Sequence, residues 1–377
     1  MAFPVEHLRR EFPALAQAGD FLFFDNAAGA QVPASVLAAV TDHLVSRNVQ
    51  RGGPYDRSQE VDAMIARARE AVAAFVNARV ARRDRVRAER RPRSSGSISL
   101  AVGQTLDSRP EIVVSDLDHE ANIATWVALE RVGARIVLVE GARRRAAARR
   151  RPRARWRRTA RGWSRAPMAS NATGTRVDVA AAARRSRTPP APRSSSTPVH
   201  FGPHGPIDVQ ALDCDYLVCS GYKIFAPHMG FAWCRAEAIN RLPTFREDFI
   251  PDVTPDKLEA GTYVYENVAG MEAVVLLSRS ASAGGWVRRK AHRERCALRA
   301  AMEAIAAHER TLSGALLDAV SSIDGASVHG VTDRSRLDDR VPTVAFSVKG
   351  MSVDGNRDGA REARHRRAQR PHVRRRA

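Results

Sequence analysis

Two short apolar runs, Glu111-Ile-Val-Val-Ser115 and Arg135-Ile-Val-Leu-Val139, constrain this chain more than any other feature. Each is a continuous apolar strand rather than an alternating one, the pattern typical of a parallel sheet. The stretch between them, from about Ile123 to Val132, has the periodicity of a helix. Strand, helix and strand in that order form a βαβ unit, which argues for a largely parallel sheet with helices on both faces. Tyr216-Leu-Val-Cys219 adds another apolar run, and Phe21-Leu-Phe-Phe24 predicts a brief strand ending in the small-residue turn Asp25-Asn-Ala-Ala-Gly29. Residues 34–46 and 58–76 have helical periodicity; in the second, Val61, Ile65, Ala68, Val72 and Phe75 fall on one face. Residues 1–20 read as a short helix and connector, 266–282 and 289–320 as helices, and Thr343-Val-Ala-Phe-Ser-Val348 alternates as a strand.

At 377 residues the chain is long enough for two domains with sizeable cores. No apolar run approaches the roughly 18 residues that a membrane helix needs, and the first residues do not read as a secretory signal. The four cysteines, Cys214, Cys219, Cys234 and Cys296, have no metal-ligand spacing. Three of them lie in apolar runs, which suits buried free thiols in a reducing cytoplasm.

The net charge of +20 is unevenly placed. Residues 79–93 hold eight arginines, 142–167 twelve, 184–193 four and 356–377 nine, and the remainder of the chain is net acidic. A segment such as Ala142–Arg158 has no apolar face and is expected to supply no core strand. Nucleic-acid surfaces usually mix lysine with arginine and interleave aromatics, whereas these blocks contain no lysine and only Trp156 and Trp163. We read the blocks as segments translated in a shifted frame from a GC-rich gene. A basic nucleic-acid-binding protein is the competing reading, with arginines contacting phosphates.

The chain has only four lysines, one of which, Lys223, sits in Cys219-Ser-Gly-Tyr-Lys-Ile-Phe-Ala-Pro-His-Met-Gly230 behind an apolar run. An amine can form a Schiff base with an aldehyde and a guanidinium cannot. Taken alone, the stretch is equally a solvated loop bearing a lysine. Its surroundings point elsewhere: Ser115-Asp-Leu-Asp-His-Glu-Ala-Asn122 and His200-Phe-Gly-Pro-His-Gly-Pro-Ile-Asp208 come before it, and Lys257-Leu-Glu-Ala-Gly-Thr262 after it.

In this order and spacing the motifs resemble the class V aminotransferases that use pyridoxal 5'-phosphate (PLP), in the cysteine desulfurase/selenocysteine lyase-like branch. The resemblance covers roughly residues 8–77, 98–140, 166–180 and 199–350. It implies an α/β chain of fold type I, with a mainly parallel seven-stranded sheet, helices on both faces and a smaller C-terminal α+β domain. It also implies an N-terminal segment over residues 1–20, packing on the small domain. The large cofactor domain would span 21–262, with 79–97, 142–167 and 181–198 aberrant. The small domain would span 263–377, with 354–377 aberrant.

Carried over residue by residue, the resemblance makes Lys223 the cofactor-binding amine and proton shuttle, and His119 the ring stacked on the cofactor. A histidine in solvent at a helix start is the plainer reading of His119, but its place just past an apolar strand puts it at the edge where open α/β sheets bind ligands. His200 and Asn171 match residues near the cofactor's phenolic oxygen. Ser220 and Tyr222 match phosphate-side donors, and Thr262 a threonine reaching the phosphate of a neighbouring subunit, which implies a homodimer. Asn26, Ala27 and Ala28 resemble the loop closing over the substrate carboxylate. No metal, membrane or nucleic-acid partner is implied, and the expected place is the cytoplasm.

Three features depart from the family. The aspartate that keeps the pyridine nitrogen protonated is replaced by Thr197, and a hydroxyl cannot stabilise that charge as a carboxylate does. Glu89-Arg-Arg-Pro-Arg-Ser-Ser-Gly96 has no match to the phosphate loop, and no cysteine follows Cys296 to act as a persulfide-forming nucleophile. Three readings therefore stand: an impaired PLP enzyme acting on a small amino acid, an inactive product of a frame-disrupted gene, and a nucleic-acid-binding protein on the same scaffold.

Overall fold

The computed structural model of the protein describes residues 3–78, 84–89, 94–106, 111–139, 163–186, 193–259, 261–262, 264–280 and 291–351. The sheet strands are β1 (Asp84–Glu89), β2 (Glu111–Ser115), β3 (Arg135–Val139), β4 (Trp163–Pro167), β5 (Arg193–Thr197), β6 (Tyr216–Ser220) and β7 (Gly230–Arg235). They form one seven-stranded sheet in the order β1-β7-β6-β5-β4-β2-β3. Strands β2 to β6 run parallel, and β7 is antiparallel to both β6 and β1. Strand β1 is therefore parallel to β6, and six of the seven strands end at the same edge. Ligands of open α/β sheets bind there.

Strand alternation divides the apolar side chains between two cores. On one face Val113, Leu217, Phe231 and Trp233 pack with α3 (Ala34–Ser46), α4 (Asp56–Phe75) and α10 (Tyr265–Ser280). On the other, Ile112, Val114, Tyr216 and Val218 pack with α5 (Ser94–Gly103) and α6 (Glu120–Val127). The five apolar residues of α4 expected on one face, Val61, Ile65, Ala68, Val72 and Phe75, are all buried. Val61, Ile65, Val72 and Phe75 each contribute about 1.5–3 kcal/mol relative to exposure, and Ala68 roughly 1 kcal/mol or less. A second, two-stranded antiparallel sheet pairs β8 (Ala326–His329) with β9 (Ala345–Val348), beside α11 (Ala291–Ser321).

Residues 1–20 hold two short helices, α1 (Val5–Arg9) and α2 (Pro13–Gln17), rather than one. Just before α1, Phe3 stacks on His308 of α11 at 4.8 Å. The remaining helices are α7 (Val179–Ser186), α8 (Val209–Leu212) and α9 (Ala236–Asn240). Among the described residues no helix is long and apolar enough to cross a membrane.

Two sequence expectations are corrected. Phe21–Phe24 is not a strand, because neither sheet edge pairs with it; Phe21, Leu22 and Phe24 stay exposed. The arginine-rich blocks also do supply strands, since β1, β4 and β5 all lie within or at the ends of them. Residues 181–198, read as aberrant, nonetheless supply β5 in the middle of the sheet. Its hydroxyls explain why. Ser196 Oγ donates to the Ala166 carbonyl at 2.9 Å, Ser195 Oγ accepts from Arg165 at 2.7 Å, and Ser194 N donates to Asp215 at 2.8 Å. Small hydroxyls that each find a partner can be buried without the penalty of orphaned polar groups. Ala142–Arg158, expected to supply no core strand, and residues 354–377, read as aberrant, lie outside the described residues.

Candidate active site

Because six strands end at one edge, their following residues converge there. That edge gathers Asp116–His119 after β2, Met168–Asn171 after β4, Pro198–His200 after β5 and Gly221–Lys223 after β6. Helix α5 begins at the same edge, four residues after β1.

Lys223 closes a single 3-10 turn, Gly221–Lys223, directly after β6. This turn needs a glycine. A Cβ on Gly221 would lie 2.7 Å from Met271 Cε and 3.0 Å from the Met229 carbonyl, to which Gly221 N donates at 2.6 Å. Two residues on, Phe225 takes the left-handed region at φ 68°, a strained backbone for a bulky residue, and packs edge-on against Phe12 at 5.6 Å. The Lys223 side chain is half-buried. Burial holds its ammonium below the usual lysine range, opposed by Asp25 and Cys219. A lysine so placed carries more neutral amine at neutral pH than a surface one, which is the form that attacks a carbonyl.

The N-terminal turn lies against this lysine. Ala30 N donates to the Tyr222 carbonyl at 3.0 Å, and Asp25 is near enough to act electrostatically on Lys223. Asn26 and Ala28 are exposed in the turn and Ala27 is half-buried. The Tyr222 ring stacks on His228 at 5.2 Å and lies 5.6 Å from Lys223 Nζ. Ser220 ends β6 and is buried.

On the next strand, His200 is buried, and its Nε2 lies 2.8 Å from Thr343 Oγ1. Burial, then His204 and Lys223, push the imidazole down to about 3, so it is neutral at physiological pH. Thr197 is buried at the end of β5, where its hydroxyl accepts from Val199 N at 3.4 Å. Asn171 is half-buried, and its Oδ1 is sequestered from water with no hydrogen-bond partner. An orphaned amide oxygen of this kind costs stability and marks a place built for another group.

His119 is exposed and caps α6, its Nδ1 accepting from Ala121 N at 3.1 Å. The plain helix-start reading and the sheet-edge reading therefore hold together. Thr262 is exposed and is not joined to Lys223, His119, Asn171 or His200 by any contact among the described residues. Its hydroxyl instead accepts from Gln50 Nε2 at 2.8 Å, and Gln50 Oε1 accepts from Tyr265 at 2.8 Å.

Sequence reasoning missed four neighbours of the site: Asp25, His228, Thr343 and Arg165. The first two lay inside motifs already quoted. Thr343 is 143 residues from its partner in sequence and gave no local signal. Arg165 is a buried arginine on β4, its Nε 3.4 Å from Asp118, in a block expected to carry nothing.

An aldehyde cofactor with a phenolic oxygen fits these groups on one side. A depressed amine and a neutral histidine act on one another at the sheet edge, and Asn171 lies in the loop after β4 at the same edge, where its amide nitrogen is the group able to donate to such an oxygen. On the nitrogen side the fit is weaker, because Thr197 offers a hydroxyl and no charge.

Comparison with known proteins agrees with the architecture. Residues 22–356 match the aminotransferase class-V family. An aminotransferase-like protein, FGM3, of Gibberella zeae is 28% identical over 379 residues, covering 93% of this chain and 83% of the relative. A probable cysteine desulfurase of Streptomyces coelicolor is 28% identical over 315 residues, covering 72% of this chain and 69% of the relative. Among solved structures, the apo cysteine desulfurase of Thermococcus onnurineus NA1 shares the fold with a TM-score of 0.76 at 19% identity, covering 97% of this chain and 86% of that one.

Proposed function

Since the chain belongs to the aminotransferase class-V family, we propose that it is a PLP-dependent enzyme acting on a small amino acid, with Lys223 as the cofactor-binding amine. The observation that carries this is the half-buried Lys223, depressed by burial, at the edge where the sheet's parallel strands end. When bound, PLP supplies an aldehyde for the amine and a ring that draws electrons from the substrate's Cα. The chain's part is to hold, orient and move protons.

His119 would lie against the ring face, with Asn171 and His200 on its oxygen side. Ser220, Tyr222 and the backbone amides that open α5 would receive the phosphate, as helix N-termini do. The turn at Asn26, Ala27 and Ala28 would cover the substrate carboxylate. Thr262 would serve a second copy, which makes the working unit a homodimer, and the location cytoplasmic. In this reading residues 21–262 form the cofactor domain and 263–377 a smaller one, with 1–20 against it. Lys223, as a neutral amine, would take and return the proton at the substrate Cα.

Two features make the proposed activity weak. Thr197 supplies no carboxylate to keep the pyridine nitrogen charged. Of the cysteines, Cys214, Cys219 and Cys234 are buried, and burial pushes Cys214 and Cys219 far above the usual thiol range, so neither offers a thiolate. Thr197 also favours a second reading, in which frame disruption has left a chain that keeps the family fold and loses the family chemistry.

Adding PLP to purified protein tests the proposal. A visible absorbance band that is absent in Lys223→Ala supports cofactor binding at this amine. Cysteine turnover well below 1 per second, the low end of ordinary enzymes, supports the impairment. No band in the wild-type protein favours the second reading.

A further inference from the structure

The segment from Val331 to Thr343, remote in sequence from the sheet edge, is pressed onto the two loops that carry Asn171 and His200. Val341 N donates to the Gly174 carbonyl at 2.9 Å, and Arg176 N donates to the Asp339 carbonyl at 2.9 Å. Gly174 has φ +71°, and a Cβ there would lie 2.5 Å from the Thr343 carbonyl, so only glycine permits this approach. Arg340 is buried, and its guanidinium donates to the backbone carbonyls of Val331, Val341 and Thr343. No carboxylate lies within ion-pair distance of it among the described residues. It spends its donors on carbonyls, tying residues 331–343 into one rigid turn.

That turn presents one hydroxyl to the sheet edge, Thr343 Oγ1, 2.8 Å from His200 Nε2. His200 is neutral, so one ring nitrogen carries a hydrogen and the other a lone pair. The neighbouring His204 is engaged elsewhere, its Nδ1 3.0 Å from both carboxylate oxygens of Glu309. If Nε2 donated to Thr343, the threonine's own hydrogen would have no acceptor among the described residues, in a half-buried place. Donation from the hydroxyl to Nε2 uses that hydrogen.

We propose that Thr343, held by Arg340, is a positioning residue that donates to His200 Nε2 and so fixes the tautomer whose single hydrogen is on Nδ1. Resting on the function proposed above, this deepens it, because a neutral histidine with Nδ1–H is a donor to an anionic oxygen. The partner that tautomer serves is a phenolate, the oxygen of a bound pyridoxal ring.

Nitrogen NMR of the full-length, cofactor-free protein labelled at histidine reads the tautomer directly, with His200→Gln assigning the resonance. Wild type and Thr343→Ser should show the hydrogen on Nδ1, and Thr343→Val should move it wholly or partly to Nε2. A hydrogen on Nε2 in wild type, or an unchanged tautomer in Thr343→Val, would overturn the proposal. With PLP added, the pH midpoint of the visible band should rise in Thr343→Val by up to about one unit, the worth of one hydrogen bond. An unmoved midpoint in a variant that has lost the Nδ1 tautomer would deny His200 its contact with the cofactor. Absence of any band in wild type would count against the cofactor reading, while the nitrogen spectra decide the tautomer by themselves.

Discussion

Strand β6 and the pair β4–β5 lie side by side in one sheet and are held there by opposite means. Tyr216-Leu-Val-Cys-Ser220 of β6 is buried throughout and packs by apolar contact on both faces. Strands β4 and β5 read Trp163-Ser-Arg-Ala-Pro167 and Arg193-Ser-Ser-Ser-Thr197; there buried hydroxyls find polar partners and Arg165 Nη1 donates to Ser195, while Nε and Nη2 of Arg165 have no hydrogen-bond partner among the described residues. Ala166 joins one apolar core, and Trp163 packs in the other, between Trp126 at 5.5 Å and Tyr216 at 5.4 Å. The difference carries through to the site. Strand β6 delivers Lys223 in a setting suited to carbonyl chemistry, while β5 delivers Thr197 where the family has an aspartate. In the proposed reading, the β6 half of the candidate site would hold the cofactor amine and the β5 half would lack the carboxylate.

The contrast breaks most visibly at Arg165. Its Nε is 3.4 Å from Asp118, whose other oxygen accepts from His119 N at 2.7 Å and Asn122 at 3.0 Å. Arg165→Ala leaves the carboxylate buried and unpaired, and should cost about 3–5 kcal/mol of unfolding free energy. The double variant Arg165→Met with Asp118→Asn should recover most of that loss. In β6, Leu217→Ala should cost about 2–5 kcal/mol by cavity formation, with no polar partner able to restore it. Denaturant unfolding of all three variants measures both. Full stability in Arg165→Ala would mean the buried pair does not hold β4.

Thr197→Asp asks whether the altered half can be repaired. Thr197 pairs in register with Pro167 on an intact strand, so the substitution alters one side chain in a formed element. A charged hydrogen bond to the ring nitrogen should lower the Kd for PLP about tenfold. Fluorescence titration checks this, and an unchanged Kd would place the ring nitrogen elsewhere.

A further effect is on acid stability. His200 is depressed from 6.5 to about 3 in the folded protein, so below pH 6.5 the unfolded chain binds a proton that the folded one does not. Its stability contribution is whole above pH 6.5 and is lost as pH falls toward 3, at about 1.4 kcal/mol per unit. Unfolding at several pH values should show a shallower acid loss in His200→Gln than in wild type.

Much of this was legible in the chain. The strands of the βαβ unit and β6 were readable because continuous apolar runs admit few other structures, and α4 because its buried face repeats at helical spacing. Strands β4 and β5 were not, because their burial depends on partners supplied by other strands. Arg165 needs Asp118, and Ser194 needs Asp215, each many residues away. Phe21–Phe24 failed in the other direction: apolar side chains suggest a strand, but a strand also needs a neighbour. Within the site, Lys223, His119 and His200 came from motifs, whereas Thr343 acts through a contact that no local pattern encodes.

The central claim is that Lys223 is the amine of a PLP site. Borohydride reduction of PLP-loaded protein followed by peptide mapping tests it most directly. Lys257, the nearest lysine in sequence, is buried and engaged, its Nζ 3.0 Å from the Asn240 carbonyl and 3.1 Å from Asp252. The account predicts label on Lys223 alone and none in Lys223→Ala. Label on Lys257, or label retained in Lys223→Ala, would contradict it.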